Sequence, residues 1–262
     1  MKQRLDQAMV VRGLTPTRSQ AESYIRLGNV TVNNKTATKA GLLVAPEDTV
    51  TLHASEQYVS RAGLKLASVA QLLHVDFKGK TVLDVGSSTG GFTDYALQHG
   101  AQKVVAVDVG TDQLHPSLHG HSRIELHEKT DIRDVWLAGQ ELSDKRQEIG
   151  RSAVYIGVPD IIVADVSFIS LRSILPHVAR LMSPASLLVA MVKPQFEAGA
   201  SNIKHHGVIK NDRMRREVLQ DFEQWARSRF VIADKADSAV PGAKGNRERF
   251  YLLRISQMHT KH

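Results

Sequence analysis

The chain has 262 residues, of which 42% are hydrophobic and 23% charged, a globular composition that excludes wholesale disorder and fibrous repeats. It has no cysteine, which excludes disulfides, thiolate metal sites and a cysteine nucleophile. Its formal net charge of +7 favours a polyanionic partner, RNA or DNA before an anionic membrane, although a merely soluble basic protein would have the same balance. The sequence shows no secretory signal and no apolar run of the ~18 residues that a membrane helix needs. We therefore expect a cytoplasmic protein.

Residues 1–55 are predicted to form a small α+β unit of their own. A first helix spans Arg4–Val11, and a second follows Thr15, the expected N-cap, with Pro16 in its first turn and Gly28 at its end. The unit carries seven Lys and Arg side chains against four acidic ones, mostly on the helices and the turn. Its predicted β segments and turn are Val30–Val32, Asn33–Asn34 (turn), Leu42–Val44 and Thr49–Leu52.

The order of residues in this unit resembles the αL RNA-binding domain first described in ribosomal protein S-four. The matching residues are Arg4-Leu5-Asp6, Ser19-Gln20-Ala21, Ile25, Gly28-Asn29-Val30, Val32-Asn33 and Asp48-Val50. In that family two helices present basic side chains to folded RNA. A solvated helix face would explain any single arginine, but not the whole ordered set. The resemblance implies RNA contacts at Arg4, Arg18, Arg26, Lys35 and, beyond the unit, Arg61.

From residue 60 onward, predicted strands and helices alternate, and the strands are nearly continuous runs of Val, Ile and Leu. This pattern predicts an α/β domain with a doubly wound, mostly parallel sheet over residues 60–262, joined to the first unit by a linker at 56–59. The predicted strands are Thr81–Val85, Val104–Val107, Ile161–Val166, Ser186–Val192 and an antiparallel edge strand at Phe250–Ile255. The predicted helices are Ser60–Val75, Gly91–His99, Ser170–Met182 and Met214–Arg227. A polar insertion is predicted at Gly139–Arg151.

The segment Leu83–Asp94 (LDVGSSTGGFTD) runs from a buried strand through glycines into a helix, which is where such sheets bind ligands. A dinucleotide site is a weak match, because Ser88 stands where a glycine would admit the pyrophosphate. The run Gly86–Gly90 also fits the G-x-S-x-G pattern of a hydrolase nucleophile, with Asp165 and His205–His206 following in hydrolase order. That interpretation lacks an oxyanion segment before the glycines, so we consider it much weaker than the next one.

An S-adenosylmethionine site fits this segment best. The backbone at Gly86 and Gly90 would approach the methionine part of the cofactor, and Asp84 would hold its amino group directly or through water. Asp108, at the end of the next strand, is placed for the ribose hydroxyls, and Asp131 for the adenine amino group. Asp108 would serve NAD equally well, and each acid alone could be a polar strand end or a helix cap.

Charged residues also follow two later strands. Asp165 and Lys193 each come directly after a buried apolar run. Because lysine resists burial unless it is paired, Lys193 is an unusual strand end. Lys65 lies on the helix that enters the domain, and Glu248 precedes the last strand.

With these residues included, nearly the whole chain resembles the hemolysin A (TlyA-like) family, whose catalytic domain is similar to the FtsJ/RrmJ-type ribose 2′-O-methyltransferases. The cofactor loop has Thr89 before its glycine pair where FtsJ-like proteins usually have proline, a variant typical of the hemolysin A branch. The segments that carry the resemblance are Tyr58–Leu66, Asp84–Phe92, Asp165–Ile169, Val192–Glu197 and Gly245–Phe250.

The resemblance implies a Rossmann-like, S-adenosylmethionine-dependent methyltransferase acting on ribosomal RNA, where family members modify cytidines. The implied cofactor contacts are Asp84, Gly86, Ser88, Gly90, Gly91, Phe92, Asp108, Asp131 and Asp165. The family's catalytic Lys-Asp-Lys-Glu tetrad maps onto Lys65, Asp165, Lys193 and Glu248.

This tetrad also makes chemical sense on its own. A ribose 2′-hydroxyl is a poor nucleophile until a base takes its proton. A lysine accepts a proton only as the neutral amine, a form that burial and a nearby cation favour. We therefore expect Lys193 to be the general base, Lys65 the neighbouring cation, and Asp165 and Glu248 the groups that orient them.

The sequence also bears on alternatives and on further contacts. A membrane-active hemolysin is disfavoured because a spanning or strongly amphipathic basic segment is missing from the sequence. A catalytically inactive RNA-binding assembly factor is disfavoured by the intact tetrad. No metal requirement is expected, because the twelve histidines lack a ligand spacing such as H-E-x-x-H. Additional RNA contacts are considered, on even terms with a plain exposed helix face, at Lys204, Lys210, Arg213, Arg215 and Arg216.

Overall fold

Two short helices and five short strands form the amino-terminal part of the computed structural model, which describes residues 2–53, 58–139, 153–198, 209, 211–242 and 245–256. The elements are β1 (Gln3–Arg4), α1 (Leu5–Val11), α2 (Arg18–Arg26), β2 (Val30–Val32), β3 (Lys35–Thr36), β4 (Leu43–Val44) and β5 (Val50–Leu52). Strand β1 pairs antiparallel with β4, and β2 lies between β3 and β5 in a three-stranded sheet.

The α2 helix begins later than the sequence indicated. Thr17, not Thr15, is its N-cap, because Thr17 has extended backbone angles and its hydroxyl accepts a hydrogen bond from the Gln20 N–H. The end of the helix is as predicted, with Gly28 at φ +76° directly after the C-cap residue Leu27. The predicted turn between β2 and β3 is also confirmed, since Asn33 and Asn34 both have positive φ.

The two described residues of the predicted linker, Tyr58 and Val59, contact both parts of the chain. Positions 56 and 57 lie outside the described residues, but Tyr58 is buried, and its carbonyl accepts a hydrogen bond from the Gln20 side chain. The Val59 N–H donates to Asp94 at 2.8 Å. One hydrophobic cluster includes core residues on both sides of this junction, among them Ile25 and Leu64.

A seven-stranded sheet dominates the rest of the chain and confirms the predicted mostly parallel α/β fold. Its strands are β6 (Thr81–Val85), β7 (Lys103–Val107), β8 (Ile124–His127), β11 (Ile161–Ala164), β12 (Leu187–Val192), β13 (Phe230–Asp237) and β14 (Arg249–Ile255). Their order in the sheet is β13-β14-β12-β11-β6-β7-β8, in which β6, β7, β8, β11 and β12 are parallel. Two strands outside this sheet, β9 (Val135–Leu137) and β10 (Val154–Ile156), form a parallel pair.

The last strand is antiparallel as predicted, but its expected place at the sheet edge is wrong. Strand β14 lies between β12 and β13, and β13 forms that edge of the sheet. The sequence of β13, FVIADKAD, mixes charged and small residues because much of the strand is exposed, so its hydrophobic pattern is weak. The antiparallel partners of β14 also explain why this strand is buried over most of its length.

Helices flank the sheet, and one predicted helix is broken into short pieces. The expected helix over 170–182 is a 3-10 turn at Leu171–Ser173, a short α-helix and a second 3-10 turn at Ala179–Leu181. Pro176 accounts for the break, since it lacks an N–H and is tolerated only in a first helical turn. Of the predicted insertion at 139–151, only Gly139 is described. The helices are α3 (Arg61–Ala70), α4 (Gly91–Gln98), α5 (Leu175–Val178), α6 (Pro194–Glu197) and α7 (Asp212–Arg227).

Candidate active site

The carboxyl ends of four neighbouring parallel strands bring the predicted site together. The registers align the last residues of β7, β6 and β11, and β12 extends two residues further, so the residues that follow these strands lie along one edge of the sheet. This is the edge at which doubly wound sheets bind ligands. The residues concerned are Gly86, Asp108, Asp165 and Lys193.

A cavity of about 430 Å³ opens at this edge. Its walls also include apolar side chains, among them Val107 and Ile132, and its volume is in the range of small-molecule sites. Five of the nine predicted cofactor residues line it: Gly86, Ser88, Asp108, Asp131 and Asp165.

The remaining four predicted cofactor residues are not part of the cavity lining. Gly90 has φ +87°, a conformation that residues with a side chain rarely adopt, and a Cβ there would lie 2.5 Å from the Leu118 side chain. A Cβ on Gly91 would lie 2.2 Å from the Ser60 hydroxyl on the preceding segment. Phe92 is a core residue whose ring lies 6.0 Å from that of Phe250. The fourth is Asp84.

Asp84 is fully buried at the end of β6 and has an unusual charge environment. One carboxylate oxygen accepts a hydrogen bond from the Thr93 hydroxyl at 2.7 Å, and the other has no hydrogen-bond partner among the described residues. Burial raises the pKa of Asp84 to about 7, and the negative charges of Asp165 and Asp108 add to the effect. Asp84 is therefore a carboxyl group poised between its two protonation states near neutral pH.

Asp108 and Asp131 both line the cavity while holding the backbone around it. Asp108 accepts hydrogen bonds from the N–H groups of Ser88 (2.8 Å) and Gly110 (2.6 Å), which fixes the glycine loop over the end of β7. Asp131 caps the turn that follows it and is paired with the Arg133 guanidinium. Asp131 is therefore both a helix cap, as the alternative interpretation expected, and part of the cavity wall.

Lys193 and Asp165 form an ion pair beside the cavity. The Lys193 Nζ lies 2.5 Å from an Asp165 carboxylate oxygen and donates a hydrogen bond to the Ser167 hydroxyl at 2.7 Å. The Lys193 side chain is only 10% exposed. A buried lysine is stable only when such partners compensate its charge.

Lys65 and Glu248 form the second ion pair of the predicted tetrad, with Nζ and a carboxylate oxygen 2.5 Å apart and both side chains nearly buried. In the β12–β14 register, Val192 pairs with Arg249, so Lys193 and Glu248 occupy the next rung. A Cβ on Gly242 would lie 2.2 Å from the Glu248 carboxylate, so a side chain there would displace this carboxylate. The register thus brings the two ion pairs to the same end of the sheet.

Sequence reasoning missed two residues beside these pairs. Ser167 accepts the hydrogen bond from Lys193, and Phe168 projects an 88% exposed ring at the cavity. Phe168 also has φ +69°, a left-handed conformation that is rare for a bulky residue. Both follow Asp165 directly, so their position after a charged strand end was the available signal.

The predicted RNA-binding residues occupy the surface of the amino-terminal unit and the start of α3. Arg4 and Arg18 both pair with Asp6, which is completely buried, and these guanidinium groups lower the pKa of the Asp6 carboxyl. Arg26 and Lys35 are exposed, and Arg61 is half-buried. Asp6 thus holds two cations, one from the end of β1 and one from the start of α2, at one place on the surface.

One of the additional basic residues considered for RNA contact is directed inward. Arg215 is buried, where it donates to the Arg247 carbonyl at 2.9 Å and to Asp237 at 2.7 Å. The prediction of an RNA contact at Arg215 is therefore wrong, because this guanidinium supports the segment before Glu248. Arg213 and Arg216 are exposed, whereas positions 204 and 210 lie outside the described residues.

The alternative chemistries receive no support from the described part of the chain. The Ser88 hydroxyl donates to the Gln113 side chain at 3.0 Å rather than to a histidine, and positions 205 and 206 lie outside the described residues. Within the described ranges, there is no group of three or more His, Asp or Glu side chains that could hold a metal ion. The helices described there include none that is long and apolar enough to cross a membrane.

Comparisons with known proteins agree with this geometry. Residues 58–255 match the model of the FtsJ-like methyltransferase family, and residues 3–50 match the S4 domain. Hemolysin A of Brachyspira hyodysenteriae is 33% identical over 94% of this chain and 97% of its own length. The 16S/23S rRNA (cytidine-2′-O)-methyltransferase TlyA of Mycobacterium tuberculosis is 34% identical over 96% of this chain and 89% of its own length.

Solved structures give the same result. A candidate hemolysin from Streptococcus thermophilus shares 33% identity with a TM-score of 0.65, and the match covers 98% of this chain and 89% of that one. The FtsJ-like model covers the larger part of the chain, whereas the relatives and the solved structure span both parts. The chain therefore belongs to the FtsJ-like methyltransferase family and to its hemolysin A (TlyA-like) group.

Proposed function

We propose that this protein transfers a methyl group from S-adenosylmethionine to a ribose 2′-hydroxyl of ribosomal RNA, with cytidine as the target nucleoside. The observation that carries the proposal is the pair of buried lysine–carboxylate contacts, Lys193–Asp165 and Lys65–Glu248, at the edge where the cavity opens. The rRNA-modifying relative and the S4 domain support the choice of substrate.

The residues around the cavity fit S-adenosylmethionine. The carboxylates of Asp108 and Asp131 lie in its wall for the ribose hydroxyls and the adenine amino group, and apolar side chains such as Val107 and Ile132 flank them. Gly86, at φ +80°, lets the loop pass close to the Asp165 carbonyl, where a Cβ would lie at 2.8 Å. When bound, the cofactor supplies a methyl group that its sulfonium sulfur makes electrophilic.

The tetrad supplies the proton acceptor and its positioning. Lys193, as the neutral amine, takes the proton from the 2′-hydroxyl during attack on the methyl carbon, and Asp165 and Ser167 hold its Nζ in place. Lys65 brings a second positive charge to this end of the sheet, where it attracts the RNA backbone, while Glu248 orients Lys65. Alignment of the hydroxyl oxygen with the methyl group accounts for much of the expected rate.

The direct test is transfer of label from methyl-labelled S-adenosylmethionine to unmodified ribosomal subunits or ribosomal RNA. The proposal expects label in RNA only. Label in protein or in a small molecule, or no label despite measurable cofactor and RNA binding, would contradict it. The last result would instead indicate an RNA-binding assembly factor.

Asp84 makes cofactor binding sensitive to pH. We propose that the cofactor's ammonium group lies near Asp84 and lowers its pKa from about 7. At pH 7 the free enzyme would hold this carboxyl about half protonated, so binding should release roughly 0.5 proton, falling to about 0.1 at pH 8. Calorimetry in buffers of different ionisation enthalpy measures this number. The Asp84→Asn variant should abolish the release, and equal release from both proteins would show that another group titrates.

The same shift affects the stability of the cofactor-free enzyme. Because the folded state keeps the Asp84 proton up to about pH 7, whereas an unfolded aspartate loses it near 3.8, stability should fall as pH rises between these values. Above about pH 7 this contribution should remain constant. Asp84→Asn should therefore flatten this part of the stability profile.

For the amino-terminal unit we propose that Arg18 contacts an RNA phosphate. Arg18→Ala should then weaken RNA binding and lower the slope of log K against log salt by about one, since one phosphate contact is lost. Arg12→Ala is the matched control, because the Arg12 guanidinium donates to the carbonyls of Asp48 and Ala45 within the unit. It should leave the slope unchanged, and an equal change in both variants would count against the assignment.

A further inference from the structure

Glu197 is a buried acid that the proposed chemistry does not use. It ends α6, the short helix that begins directly after Lys193, and its side chain is 1% exposed. It accepts hydrogen bonds from the Ser170 hydroxyl at 2.6 Å and the Leu171 N–H at 2.7 Å. The Arg172 Nε lies 3.5 Å from the same carboxylate.

Burying a carboxylate is unfavourable, and the pKa of Glu197 reflects this. Burial raises the pKa of Glu197, while the hydrogen bonds from Ser170 and Leu171 and the charge of Arg172 oppose that rise. An apolar side chain would fill this place without the desolvation penalty. A buried acid with this many directed donors is typical of a residue that fixes a particular local geometry.

The three residues that contact the Glu197 carboxylate all lie in the segment that follows β11, and this segment forms one wall of the cavity. The segments Lys193–Glu197 and Asp165–Leu171 meet at three points. Lys193 pairs with Asp165 at one end and Glu197 binds Leu171 at the other, while the rings of Phe196 and Phe168 lie 5.5 Å apart between them. Glu197 itself is not part of the cavity lining.

The backbone of this loop needs such an anchor. Phe168 lies at φ +69°, and a bulky residue keeps this strained conformation only where neighbouring contacts impose it. The ring of Phe168 is exposed, so its own packing supplies little of that constraint. The anchored Ser170 and Leu171 follow closely, and the Lys193–Asp165 ion pair holds the other end of the loop.

We propose that Glu197 is a positioning residue for methyl transfer: it holds the Asp165–Leu171 loop against α6, so that Asp165 and Ser167 keep the Lys193 Nζ aligned with the cavity. This inference rests on the proposed function, because its effect on rate is read in RNA methylation. It assigns to Glu197 a role that acts through Asp165 and Ser167 rather than through contact with the substrate.

The test is Glu197→Gln, which keeps the size of the side chain but places an amide NH₂ where one acceptor oxygen stood. Because misplacement of a catalytic group by about 1 Å can cost about 100-fold in rate, we expect kcat to fall about 10- to 100-fold. KM for S-adenosylmethionine should change by less than about threefold, since a positioning defect acts on the transition state. In the Glu197→Gln protein without cofactor, hydrogen exchange of the backbone amides of residues 167–172 should be faster than in the wild-type protein.

Two control variants separate this effect from a general loss of structure. Glu223→Gln alters a carboxylate that binds Lys235 and Tyr251 away from the loop, and it should leave kcat and loop exchange unchanged. If Glu197→Gln does not fold, Ser170→Ala removes one donor instead. The matched control for Ser170→Ala is Ser173→Ala, because the Ser173 hydroxyl donates to the Ser170 carbonyl and not to Glu197.

The outcomes are distinct for the two proposals. A Glu197→Gln enzyme with kcat within twofold of wild type would overturn the inference, as would unchanged loop exchange. If that variant does not fold, equal kcat values and equal loop exchange in Ser170→Ala and Ser173→Ala would overturn it. If the wild-type enzyme does not methylate RNA, the proposed function fails, whereas loop exchange still decides whether Glu197 anchors the loop.

Discussion

Lys193→Ala is expected to lower kcat for RNA methylation by about 100- to 10,000-fold, the range that general bases contribute. The Nζ of Lys193 is the amine beside the cavity that Asp165 and Ser167 hold in place. Alanine removes this amine and adds no atoms that would displace the loop. S-adenosylmethionine affinity should change little. The control is Lys235→Ala, which breaks a half-exposed ion pair with Glu223 away from the cavity and should retain full activity.

A second substitution at the same position separates a base from a fixed charge. Lys193→Arg keeps the positive charge, but a guanidinium does not lose its proton at ordinary pH. If Lys193 takes the 2′-hydroxyl proton, the arginine variant should be nearly as inactive as the alanine variant. Substantial activity with arginine would show that Lys193 acts as a cation only, and another group would have to accept the proton.

Lys65→Met is expected to reduce the free energy of unfolding by about 3–5 kcal/mol, because it leaves a buried carboxylate without its counter-charge. The Glu248 side chain is only 3% exposed, so water cannot replace the lost ammonium group. Urea unfolding measures the loss. Lys103→Met is the control, since the Lys103–Glu125 pair is on the surface and should contribute at most about 1 kcal/mol.

The double variant Lys65→Met, Glu248→Met distinguishes the stability of this pair from its part in catalysis. Replacing both charges with apolar side chains of similar volume should restore most of the lost stability. Methylation should remain low, because the cation beside Lys193 is still missing. A double variant that regains both stability and activity would show that the pair is structural and not part of the catalytic machinery.

The sequence predicted the parts of the fold whose pattern is local. Buried parallel strands such as Thr81–Val85 are continuous apolar runs, and charged residues at their ends mark the ligand-binding edge. The edge strand Phe230–Asp237 was missed, because an exposed strand has no apolar period to detect. The break in the predicted helix at 170–182 follows from Pro176, a signal that was present but not used.

The site, like the fold, was predictable from the sequence only where a local pattern marks the residue. Three of the four tetrad residues adjoin strand ends, so their strand positions suggested proximity before any contact was known, whereas Lys65 lies on α3. Glu197 and Asp6 could not be found in this way, since their importance depends on burial and on donors distant in sequence. Arg215 was misassigned for the same reason, because its helix exposes neighbouring arginines while packing turns this one inward.

The most direct test of the account is the position of the transferred methyl group. Ribosomal RNA labelled by the wild-type enzyme would be digested to nucleosides and separated by chromatography and mass spectrometry, with RNA from the Lys193→Ala reaction alongside. The account predicts that the label is in 2′-O-methylcytidine and is lost with Lys193→Ala. Label on a nucleobase, or undiminished label with Lys193→Ala, would contradict the assignment of this lysine as the base for a ribose hydroxyl.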